Sequence, residues 1–140
     1  MKTKIAKEFK WEMGHRLPFH DGPCKNLHGH TYRMRIEIEG ELMQNGMVLD
    51  YYDLKQMVMP ILEELDHSFI VDSTDQVMID FLESNEMKHK IIDYFSTAEN
   101  LTTLMIDQIV PKLKEHKNIS SLTLRLNETE DVYSERRVEL

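Results

Sequence analysis

Apolar and polar residues alternate over Ile5 to Gly14 and again over Thr31 to Gly40, the period of a strand with one buried face, so both segments are expected as β-strands. Between them, Arg16 to Leu27 carries Pro18 and Asp21-Gly22-Pro23, turn chemistry that predicts an irregular loop. Gln44-Asn45-Gly46 predicts a turn, and Met47 to Asp50 a short strand or strand end leading into a helix. Asp53 opens a run in which Leu54, Met57, Val58, Ile61, Leu62 and Leu65 form one helical stripe, and Pro60 within it predicts a kink or a break. After Asp66-His67, Phe69 to Val71 reads as short and extended. Val77, Met78, Phe81 and Leu82 then have helical spacing within Thr74 to Glu83, and Lys88 to Phe95 alternates loosely, as a strand would. Ser96-Thr97-Ala98-Glu99 fits a capping box, with Ser96 at the cap and Glu99 reaching back. The helix behind it carries Leu101, Leu104, Met105 and Ile109 and is expected to run to about Lys114 despite Pro111. Leu122, Leu124, Leu126 and Glu128 share one face of a last strand. Two helices on one side of an antiparallel sheet, an α+β arrangement, is the expectation.

Composition changes this picture little. The chain has 140 residues, a common size for one domain, and no repeat or Pro/Gly/Ser-rich linker divides it, so residues 1–140 are read as one unit. A net charge of -8 disfavours electrostatic binding to nucleic acid or anionic lipid, although Arg16, Lys25 and Arg33 could make one corner positive for an anionic substrate. The single cysteine cannot close an internal disulfide. The first residues lack a signal-peptide pattern and no run of about 18 apolar residues could span a bilayer, so a cytoplasmic location without membrane contact is expected.

The chemistry lies where the first two strands approach each other. His28 and His30, two apart, project from the same face of their strand, the apolar face of Tyr32, Met34, Ile36 and Ile38. His15 ends the face of Phe9, Trp11 and Met13. Three neutral imidazoles would leave a tetrahedral Zn²⁺ one open position, the arrangement of a catalytic site. The alternative is a chance His-Gly-His beside a turn and an ordinary core histidine at position 15; neighbouring Cys24 and Asp66-His67 favour the metal. Cys24 is either packing or, beside a cation, a thiolate able to act as base or nucleophile. Asp66 and His67 could relay a proton, or His67 could merely complement the helix end by its charge; adjacent strand residues face opposite ways, so the two need not touch. Glu128 continues an apolar face, where it either accepts paired N–H groups from a ligand or has left the core for water. Glu130, Asp131, Glu135 and Glu139 read as a solvated edge, and His20, His89 and His116 as surface residues.

In their order, His15-Arg16-Leu17, Cys24 to Tyr32, Gly46 to Tyr51, Leu65-Asp66-His67, Ser96 to Asn100 and Asn127-Glu128-Thr129 resemble the 6-pyruvoyl-tetrahydropterin synthase family, which includes bacterial 6-carboxy-tetrahydropterin synthases of queuosine biosynthesis. The resemblance runs from about Phe9 to Thr129. It implies a tunnelling fold, a four-stranded antiparallel sheet backed by two helices, with subunits joining into barrels as trimers or hexamers. It also implies zinc held by His15, His28 and His30, Cys24 as general base, and Asp66 and His67 as the proton relay. Glu128 would anchor the pterin ring, assisted by Thr97 and Ala98, with a neighbouring subunit contributing. The implied substrate is 7,8-dihydroneopterin triphosphate. Its side chain is either retained as a diketone, giving 6-pyruvoyl-tetrahydropterin, or cleaved with release of acetaldehyde and triphosphate, giving 6-carboxy-tetrahydropterin.

The compact Cys-x-x-x-His-Gly-His spacing resembles the carboxy-forming branch. Met13-Gly14 before the first histidine, the long segment from Ser73 to Lys90, and the ending from Glu130 to Leu140 depart from the family pattern. Two rival readings remain: a zinc hydrolase, which has no use for Cys24, and a non-catalytic module that binds pterin or metal.

Overall fold

The computed structural model describes residues 1–140. Strands β1 (Lys2–His15) and β2 (His28–Glu41) form a long antiparallel pair, in register from Lys2 opposite Glu41 to His15 opposite His28. Helix α1 (Tyr51–Leu65), strand β3 (Ser68–Asp72), helix α2 (Gln76–Ser84) and strand β4 (His89–Ile92) follow. Helix α3 (Ala98–Leu113) and strands β5 (Ile119–Thr129) and β6 (Val132–Glu139) complete the protein.

The six strands lie in the order β4-β3-β1-β2-β5-β6. The antiparallel half, β1-β2-β5-β6, is the four-stranded sheet that the family resemblance implies. Two short strands extend it in parallel: β3 pairs β1 only through Met13 opposite Ser68 and Gly14 opposite Phe69, and β4 pairs β3. The sheet is therefore mixed and six-stranded rather than four-stranded and antiparallel. β6 escapes the hydrophobic pattern because it is an edge strand with largely exposed side chains, so water rather than packing selects its residues.

One core of 25 buried residues fills the space between one sheet face and two helices, α1 and α3, which are the two expected. Phe9, Trp11 and Met13 of β1, Tyr32 to Ile38 of β2 and Leu122 to Leu126 of β5 point into it from alternate positions. The third helix, α2, packs instead with Val71 of β3 in a separate cluster of Met78, Ile79 and Leu82.

Helix ends differ from expectation in instructive ways. α1 starts at Tyr51, because Asp50 is its cap, accepting from Tyr52 N–H at 2.8 Å; Met47 to Asp50 is not a strand. Pro60 does not break α1, which continues to Leu65. Pro60 and Gln56, whose carbonyl loses its helical donor, are both exposed, so water satisfies that carbonyl. The cap of α3 is Thr97, whose hydroxyl accepts from Asn100 N–H at 3.2 Å, and not Ser96.

Candidate active site

Antiparallel register sets His28 directly across from His15, and His30 across from Met13, so the three imidazoles meet on the core face at the end of the β1-β2 pair. Their ring centroids stand 4.6 Å (His15–His28), 5.1 Å (His15–His30) and 4.8 Å (His28–His30) apart. One nitrogen of each ring falls within 4.8 Å of the other two. Nδ1 of His15 donates to the Ser96 carbonyl at 2.9 Å, with the Ser96 hydroxyl 3.1 Å from the same nitrogen, and Nδ1 of His28 donates to the Asn26 carbonyl at 2.8 Å. A carbonyl only accepts, so both protons sit on Nδ1 and both Nε2 atoms carry a free lone pair.

The donor set fits a tetrahedral metal. Nε2 of His15 and Nε2 of His30 are 3.2 Å apart, and zinc–nitrogen bonds of about 2.0–2.1 Å set ligand nitrogens about 3.3 Å apart. Burial pushes the His15 imidazolium down to about 4, with His28 and His30 adding to the effect against the Ser96 bond. Burial, then His28, lowers His30 as well. Both rings are thus held neutral, the form in which histidine ligates.

Glu128 has not left the core. At the end of β5 its Oε1 lies 3.5 Å from Nε2 of His15 and 3.9 Å from Nε2 of His30, half-buried. Burial raises its carboxyl above the usual range; His28 opposes this and Glu99 adds to it. With Ala98, Glu99, Val132 and Ser134 it lines a cavity of about 460 Å³ at the start of α3. Thr97, the residue before, uses its hydroxyl oxygen to cap that helix. Beneath the cluster Tyr32 is fully buried, edge-on to His30 at 5.5 Å and to His15 at 6.1 Å, and stacked on Trp11 at 5.4 Å. The Tyr32 hydroxyl and Trp11 Nε1 are both buried without a hydrogen-bond partner.

Cys24 lies in a single 3-10 turn, Pro23–Lys25, and is half-buried. Its carbonyl accepts from Leu17 N–H at 2.8 Å, folding the loop back to within two residues of His15. Arg16 clamps the loop base, donating from Nε and a terminal nitrogen to buried Asp75 at 2.7 and 2.6 Å, and Phe19 packs on Phe95 at 4.5 Å. The thiol itself is not one of the clustered metal-ligand atoms.

Asp66 and His67 do touch, with Nδ1 of His67 3.0 Å from Oδ1 of Asp66. His67 has φ 58°, in the left-handed region, which breaks the strand alternation that would have separated the two side chains. The N–H of Glu12 donates to Oδ1 of Asp66 at 3.0 Å and, with His67, holds that carboxyl below its usual range. The imidazole is exposed and lines a cleft of about 450 Å³ whose walls include Gly14, Phe69, Phe81 and Met87. Neither residue hydrogen-bonds to the histidine cluster or to Cys24. They flank the cluster on the β3 side, whereas Glu128 flanks it on the β5 side.

Ser96, Asn26 and Tyr32 are the site residues that sequence reasoning missed. The pattern S-x-x-E assigned Ser96 to the helix, and nothing in the sequence marks a carbonyl as a partner for a histidine.

The family model for 6-pyruvoyl tetrahydropterin synthase matches residues 4–139. The chain is 37% identical to a 6-carboxy-5,6,7,8-tetrahydropterin synthase from Haemophilus influenzae over 94% of this chain and 96% of that one. It is 32% identical to the protein of the same name from Aquifex aeolicus over 82% and 83%. The fold matches that of 6-pyruvoyl tetrahydropterin synthase from Plasmodium falciparum with a TM-score of 0.77 and 18% identity, covering 99% of each chain. An uncharacterized protein from Wolinella succinogenes matches with a TM-score of 0.79 and 22% identity, covering 99% and 98%. From its β1-β2 histidines to its sixth strand, this chain belongs to the 6-pyruvoyl tetrahydropterin synthase family.

Proposed function

We propose that the protein is a zinc-dependent 6-carboxy-5,6,7,8-tetrahydropterin synthase, one domain over residues 1–140, acting in queuosine biosynthesis. It converts 7,8-dihydroneopterin triphosphate and one water to 6-carboxy-5,6,7,8-tetrahydropterin, acetaldehyde and triphosphate. The observation that carries this reading is the convergence of His15, His28 and His30 with the half-buried carboxylate of Glu128 beside them. The names of its relatives support the carboxy product over the pyruvoyl one.

Zinc held by the three imidazoles would supply a Lewis acid that acidifies the carbon-bound hydrogens in the substrate's three-carbon arm. Glu128 accepts the paired N–H groups of the aminopyrimidinone ring, and the cavity it shares with Ala98, next to Thr97, seats that ring at the start of α3. Cys24 takes the carbon-bound proton as its thiolate. Asp66 orients His67 through the 3.0 Å contact, and His67 passes protons between substrate and solvent.

Asp66-His67 shares no hydrogen bond with Cys24 within one protomer, although His67 lines clefts together with His28 and His30, and the family resemblance supports a site completed by a neighbouring copy. Open sheet edges support such assembly. β1 pairs β3 only at Met13 and Gly14, leaving most of that edge free, and β6 exposes the other. A closed homo-oligomer, trimer or hexamer, uses both. No helix is long and apolar enough to cross a membrane.

Incubating the purified protein with dihydroneopterin triphosphate and identifying products by mass tests the reading. Acetaldehyde with 6-carboxy-tetrahydropterin is the expected result. The diketone product would assign the pyruvoyl reaction, and tight pterin binding without conversion would leave only a binding module.

A further inference from the structure

Lys88 stands at the far end of the long segment between β3 and β4 and brackets His67 on both sides. Its ammonium donates to the carbonyl of Asp66 at 2.7 Å and to that of Glu63 at 2.7 Å. Its own carbonyl accepts the N–H of Phe69 at 3.1 Å. The peptide before His67 and the one two residues after it are therefore tied to a single residue. A third tie, His67 N–H to the Glu12 carbonyl at 2.7 Å, holds that same first peptide from its other side.

His67 needs such holding. At φ 58° its backbone lies in a region that a non-glycine residue keeps only where the surroundings over-determine it. That conformation turns the imidazole onto Asp66. α1 has no basic residue in its last turn, so Lys88 also supplies the positive charge that the carbonyl end of the helix lacks. Lys90, two residues on, pairs with Glu64 at 3.1 Å and fixes β4 to the same end of α1.

We infer that Lys88 is a positioning residue for the Asp66-His67 pair, and that the long β3-β4 segment exists in part to deliver it. The inference rests on the relay role proposed above for that pair. Lys88 lines the cleft with His67, but its ammonium is engaged by the two carbonyls, so its loss is expected to lower turnover more than substrate affinity.

The test compares K88M, K88R and H67N in the zinc-loaded full-length protein, following histidine ring resonances by NMR alongside turnover of dihydroneopterin triphosphate. H67N assigns the His67 signal. In K88M that signal is expected to move, and kcat to fall on the order of 10- to 100-fold, the scale of a small misplacement of a reacting group, with KM and zinc content held within about twofold. K88R, which keeps the charge and the donors, is expected to restore both signal and kcat in large part. An unmoved His67 signal in K88M overturns the inference, as does a wild-type kcat in K88M beside an inactive H67N. Loss of kcat in K88M and K88R alike, with a matching fall in melting temperature, makes Lys88 a fold residue and overturns it too. Wild-type turnover in H67N removes the relay reading instead; a moved His67 signal in K88M then still upholds the bracing.

Discussion

Ser96 grips His15 across 81 residues of sequence, its carbonyl accepting from Nδ1 at 2.9 Å and its hydroxyl standing 3.1 Å from the same nitrogen. The carbonyl fixes the tautomer, and the hydroxyl adds little to that. Ser96→Ala is therefore expected to weaken zinc binding less than about tenfold, below the usual effect of losing a ligand's only supporting bond. Chelator competition measures it; a loss of a hundredfold or more would transfer the role to the hydroxyl.

Removing a ligand is more severe. The purified protein is expected to carry about one zinc per protomer, and His28→Ala to lose most of it, since two imidazoles cannot hold the ion as three do. Elemental analysis decides, and an unchanged zinc content would refute the ligand set.

Glu128 sits 3.5 Å from His15, yet its proposed partner is the pterin ring. Glu128→Ala is expected to weaken pterin binding on the order of 10- to 100-fold, the scale of charge-assisted hydrogen bonds, with zinc retained. Calorimetric titration with a pterin showing equal affinity in both proteins would remove the anchor.

Cys24→Ala is expected to cut turnover by about 100-fold or more while leaving zinc in place. Intact turnover that still depends on zinc would point to hydrolytic chemistry, which needs no thiol.

The metal-free protein carries a pH signature. His15 titrates at about 4 when folded, against 6.5 for an unburied histidine, so between those values the unfolded state binds a proton that the folded state refuses. Stability is full above about pH 6.5 and falls on the order of 3 kcal/mol as pH drops to about 4. Urea titrations of wild type and His15→Gln across that window test this. Identical slopes against pH would place the titration elsewhere.

The strands and clustered histidines that could be read in advance share one property: a side chain's direction follows from its position along an extended segment. Alternation alone placed His15, His28 and His30 on the core face. For Glu128 alternation gave the face but not whether the strand stays in the core there, which the contact with His15 at 3.5 Å decides. The residues that escaped depend on facts a local pattern does not hold. His67 meets Asp66 through one left-handed backbone angle, against the alternation rule. Ser96 satisfied a helix-start signature, yet its neighbour Thr97 makes the cap and frees it for His15. β3 and β4 are legible as extended segments, but their parallel pairing, β3 with β1 and β4 with β3, has no local signature, and the exposed β6 has no apolar face to announce it.

Trp11 is the only tryptophan in the protein and is stacked on Tyr32, whose ring stands edge-on to two of the three clustered histidines. The protein thereby contains its own optical probe. An indole emits according to the charges and dipoles around it, and an ion seated among those imidazoles places a new charge one aromatic ring away. Loading and stripping of the centre can thus be followed by intrinsic fluorescence in the unlabelled protein, with no competing indole to dilute the signal.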